Sequence, residues 1–139
     1  MGVKCNSVEY GPSQLSDEME VLNKGIRTWT GNSSITSTGI AQPYSSAEPN
    51  KFRLLMTNSF GDLNFDQPKV DYNVIDTDYK QYSVVYSCEE TSFVFFTAKM
   101  EYAWIYSRAK TLDGYTLAKL RNRLSVYTDV VLEKSIQDC

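Results

Sequence analysis

Apolar and polar residues alternate in short runs along most of this chain. Period-two runs that are rich in β-branched and aromatic residues predict β-strands with one buried face. Strands are predicted over residues 3–10, 18–29, 34–42, 51–57, 71–76, 82–88 and 97–107. Gly and Pro residues mark the turns, and residues 58–69 are predicted to form a loop. Strands of this number and spacing, without an internal repeat, indicate a β-sandwich or a β-barrel.

The period of the pattern changes towards the end of the chain. Leucines at helical spacing, with Asp113 placed as an N-cap, predict an amphipathic helix over residues 115–126. Alternation returns over residues 129–136 and predicts one last strand. The chain is therefore predicted to form a single, mainly β domain over residues 1–139.

The composition excludes several classes of function. The formal charge is −3, so no basic surface is available to neutralise nucleic-acid phosphates. No run of about 18 apolar residues exists to span a membrane as a helix. The chain contains no histidine, which excludes a histidine-dependent catalytic triad and a histidine-ligated zinc site. The sequence therefore predicts no catalytic residue and no metal site.

Three cysteines and one sequon bear on the cellular compartment. Cys5, Cys88 and Cys139 are too scattered for a metal knuckle and too few for a disulfide-rich miniprotein. An odd count in an extracellular-looking domain implies a free thiol or a missing partner. Asn32 opens an Asn-Ser-Ser sequon in a predicted turn, so it is a candidate glycosylation site of a secreted glycoprotein.

Two segments carry a resemblance to a known family. Thr77-Asp78-Tyr79 forms a corner between two predicted strands, and the second of these ends in Tyr-Ser-Cys88. The segment Tyr-Ala-Trp-Ile-Tyr-Ser-Arg108 follows on a later strand. These motifs and the order of strands, helix and strand resemble the lipocalins over residues 4–139, with the Tyr-Ser-Cys ending typical of the branch around apolipoprotein D and the insect bilin-binding proteins. The resemblance implies an up-and-down antiparallel lipocalin β-barrel with one C-terminal α-helix packed outside.

The resemblance assigns structural roles to two motifs. It places Thr77, Asp78 and Tyr79 at the closed end of the barrel, where the aspartate accepts backbone N–H bonds and fixes a tight turn. It places Arg108 across a tryptophan of the first strand, so that the guanidinium seals the barrel floor with cation–π character. Neither motif is expected to be catalytic.

The chain departs from the family pattern at its first strand. The Gly-x-Trp motif of that strand is absent, and Lys4-Cys5 resembles the opening of the family's second strand. The barrel is therefore expected to be incomplete at the N-terminus, with two sheet edges left unpaired. The resemblance also implies that Cys5 pairs with Cys139, whereas Cys88 is unpaired or pairs with a cysteine in a segment that this sequence lacks.

The candidate binding residues are those that the alternation places on the inward face. We predict that the following side chains point inward and contact a ligand: Tyr10, Met19, Val21, Phe52, Leu54, Met56, Tyr72, Val74, Val85, Ser87, Tyr102, Trp104 and Tyr106. Buried tyrosine and tryptophan need polar partners, which favours a cavity over a simple core. The alternative is that these residues only fill a packed core. Glu89 is expected near the barrel mouth as a solvated rim charge.

The resemblance implies a secreted transport protein without catalytic activity. Such a carrier holds a small hydrophobic ligand (a bilin, carotenoid, steroid, retinoid or fatty acid) in its barrel without covalent chemistry. No cofactor is required. A bound chromophore or lipid would occupy the barrel interior as the carried ligand, and the protein would then be a pigment-binding or lipid-binding protein.

Two alternatives stay open at this stage. The first alternative is a protein-interaction or assembly module that forms homo- or hetero-oligomers through its loops or an open sheet edge. The less favoured alternative is a lipocalin-type isomerase like the prostaglandin D synthases, which would require Cys5 as a free thiol.

Overall fold

The structure is a computed structural model that describes residues 2–15, 17–29, 31–60 and 62–139. Alternating residues form strands and the leucine-rich segment forms the helix, as the two periodicities require. The elements are β1 (Val3–Pro12), β2 (Met19–Arg27), β3 (Ser33–Ser45), β4 (Glu48–Phe60), β5 (Leu63–Asp66), β6 (Val70–Thr77), β7 (Tyr82–Ser92), β8 (Thr97–Ser107) and α1 (Gly114–Leu124).

The strands form a single antiparallel sheet in the order β1-β2-β3-β4-β6-β7-β8, and β5 pairs with β4 beside this path. Neighbours in sequence are thus neighbours in space, as in an up-and-down meander. The sheet curls into a half-barrel, and β1 and β8 remain at its two edges within the described residues. The predicted fold class is confirmed, including the incomplete barrel and the single helix.

Adjacent residues of β7 show how the sheet separates two apolar clusters. Val85 is buried on the concave face, defined here as the side of the sheet that also carries Val21, Ala41, Leu54, Met56 and Tyr72. Val84 is buried on the opposite side, the outer face, against Leu120 and Leu124 of α1. Successive side chains of a strand point to opposite faces, so a single strand serves both clusters.

The helix α1 is fixed by its cap and by its apolar stripe. Asp113 accepts a hydrogen bond from the backbone N–H of Thr116 at 2.8 Å, which confirms the predicted N-cap. Leu120 and Leu124 are fully buried against β7 and β8. The helix therefore lies outside the half-barrel, as predicted.

Two predicted segments differ from the structure. Residues 129–136 form no strand, because alternation alone provides no pairing partner. The segment meets the sheet through Leu132, which packs against the outer cluster, and through the 2.8 Å bond from Cys5 N–H to the Ile136 carbonyl. Residues 58–69 are not wholly a loop, because β4 continues to Phe60 and β5 returns beside it. Polar pairs hold this hairpin, including a 2.7 Å hydrogen bond from Thr57 Oγ1 to Asp66 Oδ1.

Candidate functional site

The structure brings the predicted inward residues together on the concave face. Val21, Leu54, Met56, Tyr72 and Val85 are buried there. The partly buried side chains packed against them are Met19, Phe52, Val74, Trp104 and Tyr106. The three remaining predicted residues join this face as follows: Tyr10 contacts Tyr72, Tyr102 stacks on Trp104, and Ser87 lies opposite Tyr102 in the β7–β8 register.

Three members of the concave face are not among the predicted binding residues. Ala41 is almost fully buried, and Val8 and Val70 pack against the same cluster. Ala41 lies in a strand of small residues, where the alternation between large apolar and polar side chains is too weak to indicate the buried face. Its position follows from the register, since Ala41 lies opposite Leu54 in the β3–β4 pair.

Gly39 shows why β3 carries small residues. A β-carbon at Gly39 would collide with the Leu55 carbonyl oxygen and with the sulfur of Met56. The absence of a side chain lets Met56 lie directly over the β3 backbone. This close approach is part of how the concave face is filled.

One wall of the concave face is an aromatic row, defined as Tyr102, Trp104 and Tyr106 at alternate positions of β8. The ring centroids of Tyr102 and Trp104 are 5.7 Å apart with planes 6° apart, and those of Trp104 and Tyr106 are 6.4 Å apart with planes 10° apart. Tyr72 stacks on Trp104 from the neighbouring side at 6.3 Å. Parallel rings along one strand form a continuous flat apolar surface.

Three tyrosine hydroxyls converge beside this row, and Tyr10, Tyr72 and Tyr106 are called the hydroxyl cluster below. The hydroxyls of Tyr10 and Tyr72 hydrogen-bond to each other, and the phenol of Tyr106 interacts electrostatically with both. Burial raises the pKa of all three phenols above the usual value of 10.0, and the effect is large for Tyr72. Tyr10 as a whole residue is 43% exposed, yet its hydroxyl contacts that of Tyr72. The cluster therefore supplies neutral hydroxyl groups at physiological pH.

Ser87 adds an unusual polar group to the concave face. Its side chain is fully buried, and its Oγ has no hydrogen-bond partner within the described residues. Buried hydroxyl groups are normally hydrogen-bonded, because leaving one unpaired costs free energy. A bound molecule would supply the missing partner by displacing a side chain that covers the Oγ.

Glu89 is held by partners instead of standing as a solvated rim charge. Its carboxylate accepts a hydrogen bond from the backbone N–H of Asp71 and lies 3.6 Å from Nη1 of Arg53. Arg53 also pairs with Asp71 at 2.5 Å. These contacts tie the start of β6 to β4 and β7.

The Thr77-Asp78-Tyr79 corner is built from side-chain hydrogen bonds to the backbone. Asp78 Oδ1 accepts from the backbone N–H groups of Lys80, Gln81 and Tyr82 at 3.0, 2.7 and 3.1 Å. These bonds, with that from Gln81 the largest, lower the pKa of the Asp78 carboxyl. A carboxylate that accepts hydrogen bonds from three backbone N–H groups stabilises a tight turn.

Arg108 follows β8 at the same end of the sheet as this corner. Its backbone N–H donates to the Gln81 carbonyl at 2.9 Å, and its side chain lines a cleft of about 250 Å³ with Lys80 and Asp113. No aromatic ring stacks on Arg108 in the part of the chain that the structure describes. The expected tryptophan partner belongs to a strand motif that this sequence does not contain.

The cysteines occupy two different settings. Cys5 and Cys139 form a disulfide, which is the pairing that the resemblance implied. Cys88 is half-buried and forms no disulfide. It lies on the outer face, where Tyr86 donates a hydrogen bond to Glu101 at 2.7 Å.

The turn between β2 and β3 carries the sequon. Asn32 is exposed there and adopts a φ of 61°. Its side chain is therefore open to solvent, as glycosylation would require.

A cleft lies on the outer face, on the side of the sheet opposite the predicted site. It has a volume of about 490 Å³. Its lining residues are Tyr44, Asn50, Lys51, Asp71, Asn73, Ile75, Tyr86 and Tyr127. This lining mixes charged and amide side chains with aromatic ones. The concave face instead gathers apolar side chains around a few neutral hydroxyl groups, so we place the candidate site there.

One end of the sheet exposes apolar side chains. The hairpin tip between β7 and β8, residues 93–96, carries Val94 and Phe95 at 90% and 95% exposure. Leu63 and Phe65 on the β4–β5 hairpin and Trp29 after β2 are also exposed. Strand pairing places all three connections at the end opposite the Thr77-Asp78-Tyr79 corner, and this end is called the open end below.

The described residues contain neither a cluster of metal-binding side chains nor a membrane-spanning helix. No group of three or more His, Cys, Asp or Glu side chains there is arranged to hold a metal ion. Within the same residues, no helix has the length and apolar character needed to cross a membrane.

Comparison with known proteins identifies relatives of this chain. No protein-family model matches it. Apolipoprotein D of Macaca fascicularis is 27% identical over 135 residues, which cover 97% of this chain and 65% of the relative. The chain therefore spans just under two thirds of the length of that relative.

Solved structures show the same fold. Lobster apocrustacyanin A1 superposes with a TM-score of 0.66 at 20% identity, covering 98% of this chain and 68% of the other. H1 crustacyanin from the lobster Homarus americanus superposes with a TM-score of 0.67 at 21% identity, covering 96% and 66%. The sequence similarity, the motifs around Asp78 and Trp104 and these superpositions all support the resemblance of this chain to the lipocalins, and to the branch that includes apolipoprotein D in particular.

Proposed function

We propose that this chain is a secreted carrier that binds one small hydrophobic molecule on its concave face without covalent chemistry. The observation that carries the proposal is the aromatic row, which lies beside the buried cluster around Val85 and Leu54. Apolar and aromatic side chains with a few placed polar groups are the usual lining of sites for such molecules. The relationship to lipocalins supports the same function.

The candidate ligands are a bilin, carotenoid, steroid, retinoid or fatty acid. A bound chromophore or lipid would be the carried molecule, and no cofactor is needed. The disulfide between Cys5 and Cys139 supports secretion, because such bonds persist in oxidising compartments. The exposed Asn32 side chain is open to glycosylation there.

Fluorescence tests the proposal, because the two tryptophans have different surroundings. Trp104 lies in the aromatic row, whereas Trp29 is 70% exposed after β2. In a Trp29→Phe variant, the emission comes from Trp104 alone. We expect saturable quenching by a member of one of the five ligand classes. The control is Trp104→Phe, in which Trp29 emission should show no saturable change. If no class changes Trp104 emission, the carrier proposal is wrong.

A second candidate function is an interaction or assembly module. It is favoured by the β1 and β8 edges, which lack a mutual partner among the described residues, and by the exposed residues 93–96. Light scattering of the purified protein tests it. An oligomer that dissociates in Phe95→Asp, with ligand binding absent throughout, would favour this function over the carrier.

The isomerase alternative has no support in the structure. Such an enzyme would need Cys5 as a free thiol, and Cys5 is bonded to Cys139. A disulfide sulfur is not available as a thiolate nucleophile.

A further inference from the structure

Ser87 marks a place on the concave face where a hydrogen-bond partner is missing. Its Oγ is the buried side-chain atom left without a partner among the described residues. Its side chain is fully buried, so bulk water does not provide that partner. A serine hydroxyl can both donate and accept, so it can serve a ketone or an alcohol equally.

The surroundings of Ser87 are aromatic. Ser87 lies opposite Tyr102, and Val85 lies opposite Trp104, in the β7–β8 register. Tyr72 precedes Asn73, which lies opposite Tyr86 in the β6–β7 register, so Tyr72 flanks Ser87 from the other side. The unpaired hydroxyl therefore sits between Tyr72 and the aromatic row.

The other polar groups of this face are neutral. The hydroxyl cluster consists of phenols whose pKa values are raised, first of all by burial. Besides burial, the other phenols of the cluster act on the pKa values of Tyr10 and Tyr106. The interior of the concave face near Tyr72 thus offers neutral hydroxyl groups.

Charged side chains lie towards the two ends of this face. By strand alternation Glu89 and Arg27 share the concave side near the open end, and Glu89 is held by Asp71 N–H and Arg53. Arg108 follows β8 at the opposite end with its side chain exposed. A carboxylate placed beside Ser87 would be buried without a paired charge, which is strongly unfavourable.

We propose that the concave face selects a neutral ligand with a hydrogen-bonding oxygen, a ketone or an alcohol, and that this oxygen meets Ser87. The inference rests on the proposed carrier function and narrows its ligand class. It favours steroids, retinoids and carotenoids that carry a ketone or hydroxyl. It disfavours fatty acids and bilins where their carboxylates would lie beside Ser87, away from Arg27 at the open end.

Matched ligand pairs test the charge selectivity. Retinol and retinoic acid share one hydrocarbon skeleton, as do hexadecanol and palmitic acid. Their binding is measured through Trp104 emission in Trp29→Phe, with hexadecanol and palmitic acid measured by displacement of retinol. We expect each alcohol to bind at least about tenfold more tightly than its acid at neutral pH. The gap should narrow as acidification protonates the acid.

Ser87→Ala tests the position of the oxygen. This variant should weaken retinol binding by about tenfold, because the ligand oxygen loses its partner. It should leave the affinity for the matching hydrocarbon without the oxygen unchanged. The ligand-free variant should melt no lower than the parent, since an unpaired buried hydroxyl has been removed. Ser92→Ala is the matched control on the exposed end of the same strand.

The outcomes separate this inference from the carrier proposal. If the acids bind Trp29→Phe as tightly as the alcohols, or if Ser87→Ala leaves retinol affinity unchanged, the ligand class is wrong while the carrier stands. If none of these ligands changes Trp104 emission, both proposals are wrong.

Discussion

The two faces of the sheet bury neighbouring valines in different ways. Val84 on the outer face is covered by Leu120 and Leu124 of α1, a separate element that is itself capped and buried. Val85 on the concave face is covered by the curl of its own sheet, through Tyr72 and Trp104. Both valines are almost completely buried, so solvent exposure alone does not distinguish the two environments.

The difference lies in the polar groups. The outer cluster is apolar where α1 meets β7, as expected of a permanent packing contact. The concave face instead buries Ser87 and the hydroxyl cluster beside its apolar residues. The concave face therefore has an unsatisfied hydrogen-bonding group at Ser87, and we infer that a bound molecule supplies its partner.

The largest expected effect concerns leucines on the two faces. Leu120→Ala should cost about 3 kcal/mol of unfolding free energy and Leu54→Ala about 2 kcal/mol, because the helix-covered site relaxes less around a cavity. Urea denaturation of the ligand-free variants measures both. A larger loss for Leu54→Ala would show that the concave face is packed as a core, which is the alternative left open by the sequence.

The valine pair sharpens the comparison within one strand. Val84→Ala and Val85→Ala should each cost about 2 kcal/mol of stability. Only Val85→Ala should weaken retinol binding, by about fivefold, since only Val85 lies on the concave face. Equal binding losses in the two variants would contradict the assignment of the ligand to that face.

A pH titration probes the hydroxyl cluster. The pKa of Tyr72 is raised in the folded state, so the folded protein holds this proton more tightly than the unfolded chain. Stability should therefore be constant below the ordinary tyrosine pKa of 10.0 and fall as the pH rises above it. Chemical denaturation between neutral and alkaline pH measures this slope.

Tyr72→Phe should flatten that slope. Tyr79→Phe is the matched change at a ring that is 86% exposed. On the outer face, burial also raises the pKa of Tyr86, which bonds to Glu101, so part of the slope should remain in Tyr72→Phe. An unchanged slope in Tyr72→Phe would exclude the Tyr72 phenol as a source of the slope.

The smallest expected effect concerns the ion pair between helix and sheet. Arg123 lies 3.8 Å from Asp76, and its side chain is 60% exposed. Exposed pairs contribute little, so Asp76→Asn should change the unfolding free energy by less than about 0.5 kcal/mol. Urea denaturation at low and high salt checks this. A larger, salt-dependent loss would mean that charge, not leucine burial, holds α1 on the outer face.

The sequence pattern was sufficient to predict which face a side chain occupies when that depends on a single strand or helix. Alternation placed Val85 and Ser87 on one side of β7 and Val84 on the other, because successive side chains must point to opposite faces. The helix and its Asp113 cap were predicted for the same reason. These features depend on residues a few positions apart.

Features that depend on distant partners were not predicted. Ala41 is buried because the register sets it opposite Leu54, and no local pattern reveals this. The hydroxyl cluster joins β1, β6 and β8, so it depends on the curvature of the whole sheet. The alternating residues 129–136 fail to form a strand because strand formation needs a neighbouring ladder as well as a pattern.

The disulfide has a consequence for the connectivity of the chain. Cys5 and Cys139 are 134 positions apart, so their bond closes almost the whole sequence into a covalent ring. A protease that cuts the exposed 93–96 tip once would open the ring without releasing a fragment. The cut protein would run as two pieces on a gel only after reduction. The β7–β8 tip is thus a suitable place for new chain ends. The bond between Cys5 and Cys139 would then keep the two parts of the chain covalently linked.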